Sequence, residues 1–240
     1  MRISTLLVTT VASIAALPAP AMAQGDDADI IVTASGIAQP RDESGQAISV
    51  IDTARLDTLQ SATITDALRT LPGVAVAPRG PVGSQTSVFL RGGNSAQTLV
   101  LVDGVRINDP SSPNGAFDFG ALQTGNFGRI ELLRGANSVI WGSQAIGGVI
   151  SLTSLAPTDA LSARAIAEGG SWSTVRTSAN LGGTSGPLRG SIGGGYYRTS
   201  GISALTGGSE RDGFASYSAN GRLDIALGDN AGIDLRGFYN

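Results

Sequence analysis

Arginine, carboxylates and hydroxyls are the chemically able side chains of this sequence, which has no histidine, cysteine or lysine; all 16 basic residues are arginine. That composition removes the Ser-His-Asp triad, the cysteine nucleophile, the Schiff-base lysine and the P-loop lysine. A zinc centre with the usual nitrogen and sulfur ligands is removed as well. The expectation is a protein that is not an enzyme and carries no cofactor. Calcium needs roughly six to eight oxygen ligands, and the neighbouring Glu210 and Asp212 supply two carboxylates, so a calcium site has no support. The formal net charge of −3 argues against a nucleic-acid partner.

The remaining chemistry is that of holding and recognising. Arg91, Glu131 and Arg134 sit in glycine-flanked segments, where backbones approach closely and a buried arginine must find a partner. Two loops carry Ser84 and Gln85 (within 79–85) and Asn108, Asp109, Ser111, Ser112 and Asn114 (within 108–119). These supply neutral donors and acceptors suited to a ligand, although any solvated loop has a similar composition.

Several elements must position these residues. Arg2, the apolar run Leu6 to Leu17 and Ala21-Met22-Ala23 have the anatomy of a cleaved export signal over 1–23. The run is shorter than a bilayer span. After it, Asp29-Ile30-Ile31-Val32-Thr33-Ala34 is a β-branched segment able to add to a partner's sheet edge. Asp52 to Leu59 reads as a short helix. Thr63 reads as the N-cap of a second, with Ile64, Ala67, Leu68 and Leu71 on one apolar face and Pro72-Gly73 ending it. Gln97 to Val102 reads as a buried strand, and Asp103-Gly104 as a hairpin turn into Val105 to Ile107.

From Ser162 the helical pattern stops and residues alternate apolar and polar, as in Val175, Thr177, Ala179 and Leu181 against Arg176, Ser178 and Asn180. Five strands are predicted: Ser162 to Glu168, Thr174 to Gly182, Arg189 to Arg198, Phe214 to Leu227, and Gly232 to Asn240. Tight turns at Gly183 to Pro187 and Gly228 to Ala231, with a longer loop at Thr199 to Gly213, point to a transmembrane barrel. A soluble sandwich uses the same alternation.

The motifs resemble, in order, those of TonB-dependent outer-membrane receptors, most of all the vitamin B12 (cobalamin) receptor branch. Residues 29–34 match the TonB box and Asp66 to Val74 the plug segment D-x-L-x-x-x-P-G-V. Phe89 to Gly92, Leu101 to Val105, Ile130 to Gly135 and Trp141 to Ile150 follow, with Trp141 where the family usually has tyrosine. The resemblance implies a 24–39 segment containing the TonB box, an α+β plug domain over 40–155, and about five strands of an incomplete antiparallel β-barrel over 160–240. Relatives of about 22 strands would have an open lumen without a plug. The chain is therefore expected to be an N-terminal part that does not transport alone.

The resemblance further implies that Arg91, Glu131 and Arg134 contact charges on the barrel wall; ion pairs within the plug are the alternative. Trp141 reads better as plug core than as an interfacial anchor. The implied partners are the TonB C-terminal domain, energised by ExbB and ExbD, outer-membrane lipid and a scarce small ligand. Cobalamin suits the neutral set of Gln85, Asn108, Ser111, Ser112 and Asn114. A ferric siderophore or other metal chelate is the alternative, drawing on Arg79, Phe117 and Phe119. A signalling transducer would carry a further domain where Gln24 to Ala28 stand, and a passive porin would have neither plug nor TonB box.

Overall fold

A computed structural model describes residues 30–31, 39–40, 44–111, 114–228 and 231–240. The leader, Asp29, Val32, Thr33, Ala34 and Ser112 lie outside the described residues. Strand β1 (Ile30–Ile31) pairs antiparallel with β2 (Gln39–Pro40), Ile31 opposite Gln39. Strand β3 (Ala47–Asp52) runs directly into helix α1 (Thr53–Leu59), because the Asp52 carboxylate caps it by accepting from the Arg55 N–H at 2.7 Å. Helix α2 (Ile64–Arg69) starts at Thr63 as its sequence requires. The Thr63 hydroxyl accepts from the Asp66 N–H and donates to its carboxylate at 2.7 Å, so the acidic side chain meets the cap's hydroxyl.

The plug is built on a mixed sheet of β3, β6 (Thr98–Val102), β7 (Val105–Arg106), β8 (Phe127–Arg134) and β9 (Gly148–Ser154), in the order β3-β8-β9-β6-β7. Strands β6 and β9 pair in parallel and the rest antiparallel. All five residues of β6 are buried, which is why its sequence is a continuous apolar run with no alternation. Val100 and Val102 join Ile64, Leu68, Ile130, Leu132 and Ile150 in the larger core. Leu99 and Leu101 enter a second core with Ile48, Leu133 and Val149, against which Trp141 packs. At the hairpin Asp103 and Gly104 both have positive φ, 48° and 82°, the geometry such a two-residue turn requires. A separate hairpin, β4 (Val74–Pro78) with β5 (Thr86–Leu90), and the four-residue helix α3 (Ser138–Trp141) complete the domain.

The rest is a meander of five antiparallel strands, β10 (Ser162–Gly170), β11 (Thr174–Ser185), β12 (Leu188–Thr199), β13 (Phe214–Ala226) and β14 (Gly232–Tyr239). The face turned to the plug is polar and buried, with Arg176, Ser178, Asn180, Thr199, Ser216, Ser218 and Asn220 all within 9% exposure. Its other face is apolar and bare: Ile192 is 65% exposed and Leu235 55%. A soluble sandwich packs apolar faces together, so this inverted arrangement discards it and leaves the start of a barrel wall. Among the described residues no helix is long and apolar enough to cross a membrane.

Because the apolar core lies in the plug, the two parts should differ in stability. Leu132→Ala, at a fully buried position, should lower plug stability by about 2–5 kcal/mol. Proteolysis of the chain refolded without detergent should leave a resistant core ending near residues 153–158. Equal protection through residue 240 would contradict this division.

Candidate functional site: the seam between plug and wall

The two parts meet along hydrogen bonds in place of a dry apolar contact. On β12 the inward residues Gly193 and Gly195 lack side chains. Across the sheet Gly193 is flanked by Asn180 and Asn220, and Gly195 by Ser178 and Ser218. The dent left by the glycines admits the plug segment 124–126. Asn180 Nδ2 donates to the Gly125 carbonyl at 3.0 Å, and Asn126 Nδ2 to Ser218 Oγ at 2.9 Å. The fit is close on both sides. A Cβ on Gly125 would stand 2.7 Å from Ser178 Oγ, and one on Gly195 2.8 Å from Ser218 Oγ. Beside this dent Phe127 of the plug meets Phe238 of β14, with ring centroids 6.0 Å apart.

Arginines of the wall make the charged contacts. Arg176, 5% exposed, holds Glu168 at 2.9 Å and donates to Thr124 Oγ1 of the plug. Arg164 pairs with Asp57 at the end of α1, and Arg189 donates to the Pro157 carbonyl at 2.8 Å. Arg236, paired with Asp234, donates to the backbone carbonyl of Asp103 at the β6–β7 hairpin. The Asp103 carboxylate meanwhile accepts from the Ser154 N–H and Oγ, both at 2.8 Å, where β9 leaves for the wall. A cavity of about 240 Å³ opens behind this contact, lined by Asp103, Glu131, Trp141, Arg222 and Arg236 among others.

The expected contacts are therefore redistributed. Glu131 is buried and faces that cavity, but its described ion pair is with Arg129 of its own strand, at 2.8 Å. Arg134 donates to the Pro72 carbonyl at 2.7 Å and to Ser49 Oγ, binding β8 to β3 and to the end of the α2 segment. Arg91 is exposed, with φ 50°, and its N–H donates to the Gly73 carbonyl. These contacts lie within the plug, and among them the Glu131 contact with Arg129 is an ion pair, whereas the Arg91 bond is made by its backbone. The wall arginines were legible as residue types, but their direction follows only from which strand face turns inward.

The 108–119 loop meets the start of β5, just after the 79–85 loop. The Asp118 carboxylate accepts from Thr86 N–H at 2.9 Å, and Phe119 N–H donates to the Thr86 carbonyl at 3.0 Å. Phe214, at the top of β13, packs against Gly83. Gln85, Asp109, Ser111 and Asn114 are exposed; Asp109 accepts from Ser111 N–H and Oγ, and Asn114 from Ala116 N–H. Ser84 Oγ is buried without a hydrogen-bond partner. Asn108 departs from expectation. It is buried, and its carboxamide accepts from Val100 N–H at 2.8 Å while donating to the Thr98 and Gly115 carbonyls. It anchors the edge of β6, with both ends of its carboxamide engaged inside the plug. Phe119, 2% exposed, is likewise core. Both carboxylates of the 200–213 loop serve the loop itself: Asp212 accepts from Ala204 N–H, and Glu210 from Ser203 Oγ at 3.0 Å. Its own backbone N–H, then Ser203, holds Glu210 below the ordinary carboxylate range.

A folded domain lodged against the polar inner face of a barrel wall defines a plugged β-barrel. Residues 40–149 match the family described as the TonB-dependent Receptor Plug Domain. The fold is similar to that of the ferripyoverdine receptor of the outer membrane of Pseudomonas aeruginosa (TM-score 0.71, 21% identity, 86% of this chain and 26% of that one). It is similar also to the alcaligin outer-membrane receptor of Bordetella pertussis (0.66, 20% identity, 83% and 32%). A third likeness is to a siderophore receptor of Acinetobacter baumannii (0.64, 24% identity, 79% and 30%). The chain thus spans about a quarter to a third of the length of these receptors.

Two substitutions test the assignments. Gly193→Val would drive a side chain into the Asn180 and Asn220 carboxamides. It should unseat the 124–126 segment, read as faster protease cleavage there with the plug core intact. Asn108→Ala should destabilise the plug by about 1–3 kcal/mol, the cost of leaving buried backbone groups unpaired. Ligand affinity per folded molecule should not change.

Proposed function

We propose that this chain is the N-terminal portion of an outer-membrane receptor that imports a scarce metal chelate of the siderophore class, driven by TonB. The observation carrying this reading is the seam: the lumen side of the wall is occupied by a separately folded plug, held by exchangeable hydrogen bonds. Each such bond contributes about 0.5–1.5 kcal/mol, because water can replace it. An external pull could therefore release the plug without unfolding its apolar core. The ligand would reach the exposed surface of loops 79–85 and 114–119, near the top of β13.

The siderophore class is favoured over cobalamin for two reasons. The similar solved structures are described as a ferripyoverdine receptor, an alcaligin receptor and a siderophore receptor, and Asn108, a central member of the neutral amide set, is committed inside the plug. Arg79 is exposed beside Gln85, and Phe117 stands edge-on to Phe119 with centroids 4.9 Å apart. That surface offers a cation and an aromatic edge to an anionic chelate.

Energy coupling would begin at residues 29–34. Ile30 and Ile31 are extended and pair with residues 39–40, the backbone form in which a segment adds to a partner's sheet. Proline removes the N–H and restricts φ. In the full-length receptor, Ile31→Pro or Val32→Pro should abolish uptake while surface binding of ligand persists. Undiminished uptake would overturn the assignment of the TonB box. Competition on the same cells between a ferric siderophore and cobalamin decides the ligand class.

A further inference from the structure

A cavity of about 490 Å³ opens on the outer face of the wall, away from the plug. Its floor is set by register. On the outward side of the β11–β12 hairpin, Leu181 stands opposite Ile192, Gly183 opposite Gly190, and Ser185 opposite Leu188. The middle pair is glycine on both strands, so bare backbone lies between two apolar rungs. Leu161 and Leu223 close the sides: a Cβ on Gly183 would stand 3.2 Å from Leu161 Cα, and one on Gly190 3.4 Å from Leu223 Cδ1. Leu161 is 86% exposed, Ile192 65%, Leu181 53% and Leu188 45%. Among the described residues none that lines the recess is charged.

We infer that this recess seats one acyl chain of a membrane phospholipid; the inference rests on the outer-membrane reading above. The recess is continuous with the apolar outer face formed by Tyr217, Leu223, Ile233 and Leu235, which that reading turns toward hydrocarbon. A wall without the dent would meet lipid as a flat surface. The glycine pair removes two side chains from it, and a flexible hydrocarbon chain fills the gap where a second flat wall cannot. The location fixes the depth. The recess begins at the last residue pair before the tight Gly186-Pro187 turn, so the seated chain belongs to the leaflet on the turn side. Filling it makes van der Waals contacts that the gap would otherwise leave unmade.

These 240 residues have no cysteine, so once any thiol elsewhere in the full-length receptor is replaced by serine a single introduced one is a clean reporter. The full-length receptor carrying Ser185→Cys labelled with bimane would be placed in phospholipid nanodiscs containing increasing fractions of lipid with dibrominated acyl chains. The expected result is quenching with a saturable phase at low brominated fraction, followed by a linear phase. Adding Gly190→Leu, which fills the recess, should remove the saturable phase. Leu161→Ser, at a side chain too exposed to disturb folding, should move it to a higher lipid fraction. Purely linear quenching unchanged by both substitutions would overturn the proposal. So would protection that depends on receptors per disc, which would assign the recess to a second copy. Tyr217→Cys on the open outer face is the control for the membrane reading. If neither position is quenched, that reading and this proposal fail together; if only Tyr217→Cys is quenched, the membrane reading stands and the acyl seat fails.

Discussion

A β-wall that shows its apolar side chains outward has only polar ones left for its inner face, because successive residues of a strand point to opposite sides. Everything else in this structure follows from that constraint. A domain placed against such a wall buries little apolar surface on both sides of the contact, the meeting of Phe127 with Phe238 being one such place. It must be held by hydrogen bonds and ion pairs. The seam around Gly193 and Gly195 meets this requirement with small polar residues in register, and the glycines provide the depth that lets the 124–126 backbone reach them.

The plug carries its own cohesion, and this separates the two kinds of contact. Strand β6 is buried on both faces and links the two apolar clusters, so the domain does not rely on the wall for its core. The hairpin at its end couples the parts: Asp103 accepts from Arg236 of the wall through its carbonyl and from Ser154 through its carboxylate. Positive φ at Asp103 turns the carbonyl and the side chain toward different partners. A joint built from exchangeable polar contacts around a rigid domain is suited to being broken and remade.

The direction of charge across the seam has a simple cause. Side chains of arginine are long enough to cross from a strand backbone to a carbonyl on the plug, and their fixed fork satisfies two acceptors at once. From the wall Arg236 uses that reach to meet the Asp103 carbonyl, and Arg176 to hold both Glu168 and the Thr124 hydroxyl. Arg134 uses it within the plug, tying β8 to two neighbouring segments. The same residue type thus serves opposite sides of the seam, and motif position alone does not say which.

The sequence by itself determined the period-two strands, the helix cap at Thr63, the Asp103-Gly104 turn and the exclusion of His-, Cys- and Lys-dependent chemistry. These are local properties: a cap, a turn or an alternation needs only residues a few positions apart. The β4–β5 hairpin, the parallel pairing of β6 with β9 and the burial of Asn108 came only with the tertiary structure. The parallel pairing joins segments far apart in the chain, such as Thr98 beside Gly148, while the hairpin and Asn108 lie in loop-like stretches whose composition carries no strand period. The sign of the barrel assignment was also decided there. Alternation fixes that one face is apolar and one polar, but not which is buried, and the plug's position on the polar face supplies that answer. The role of Arg91, Glu131 and Arg134 was left open for the same reason, since a charged side chain is defined by what the fold places opposite it.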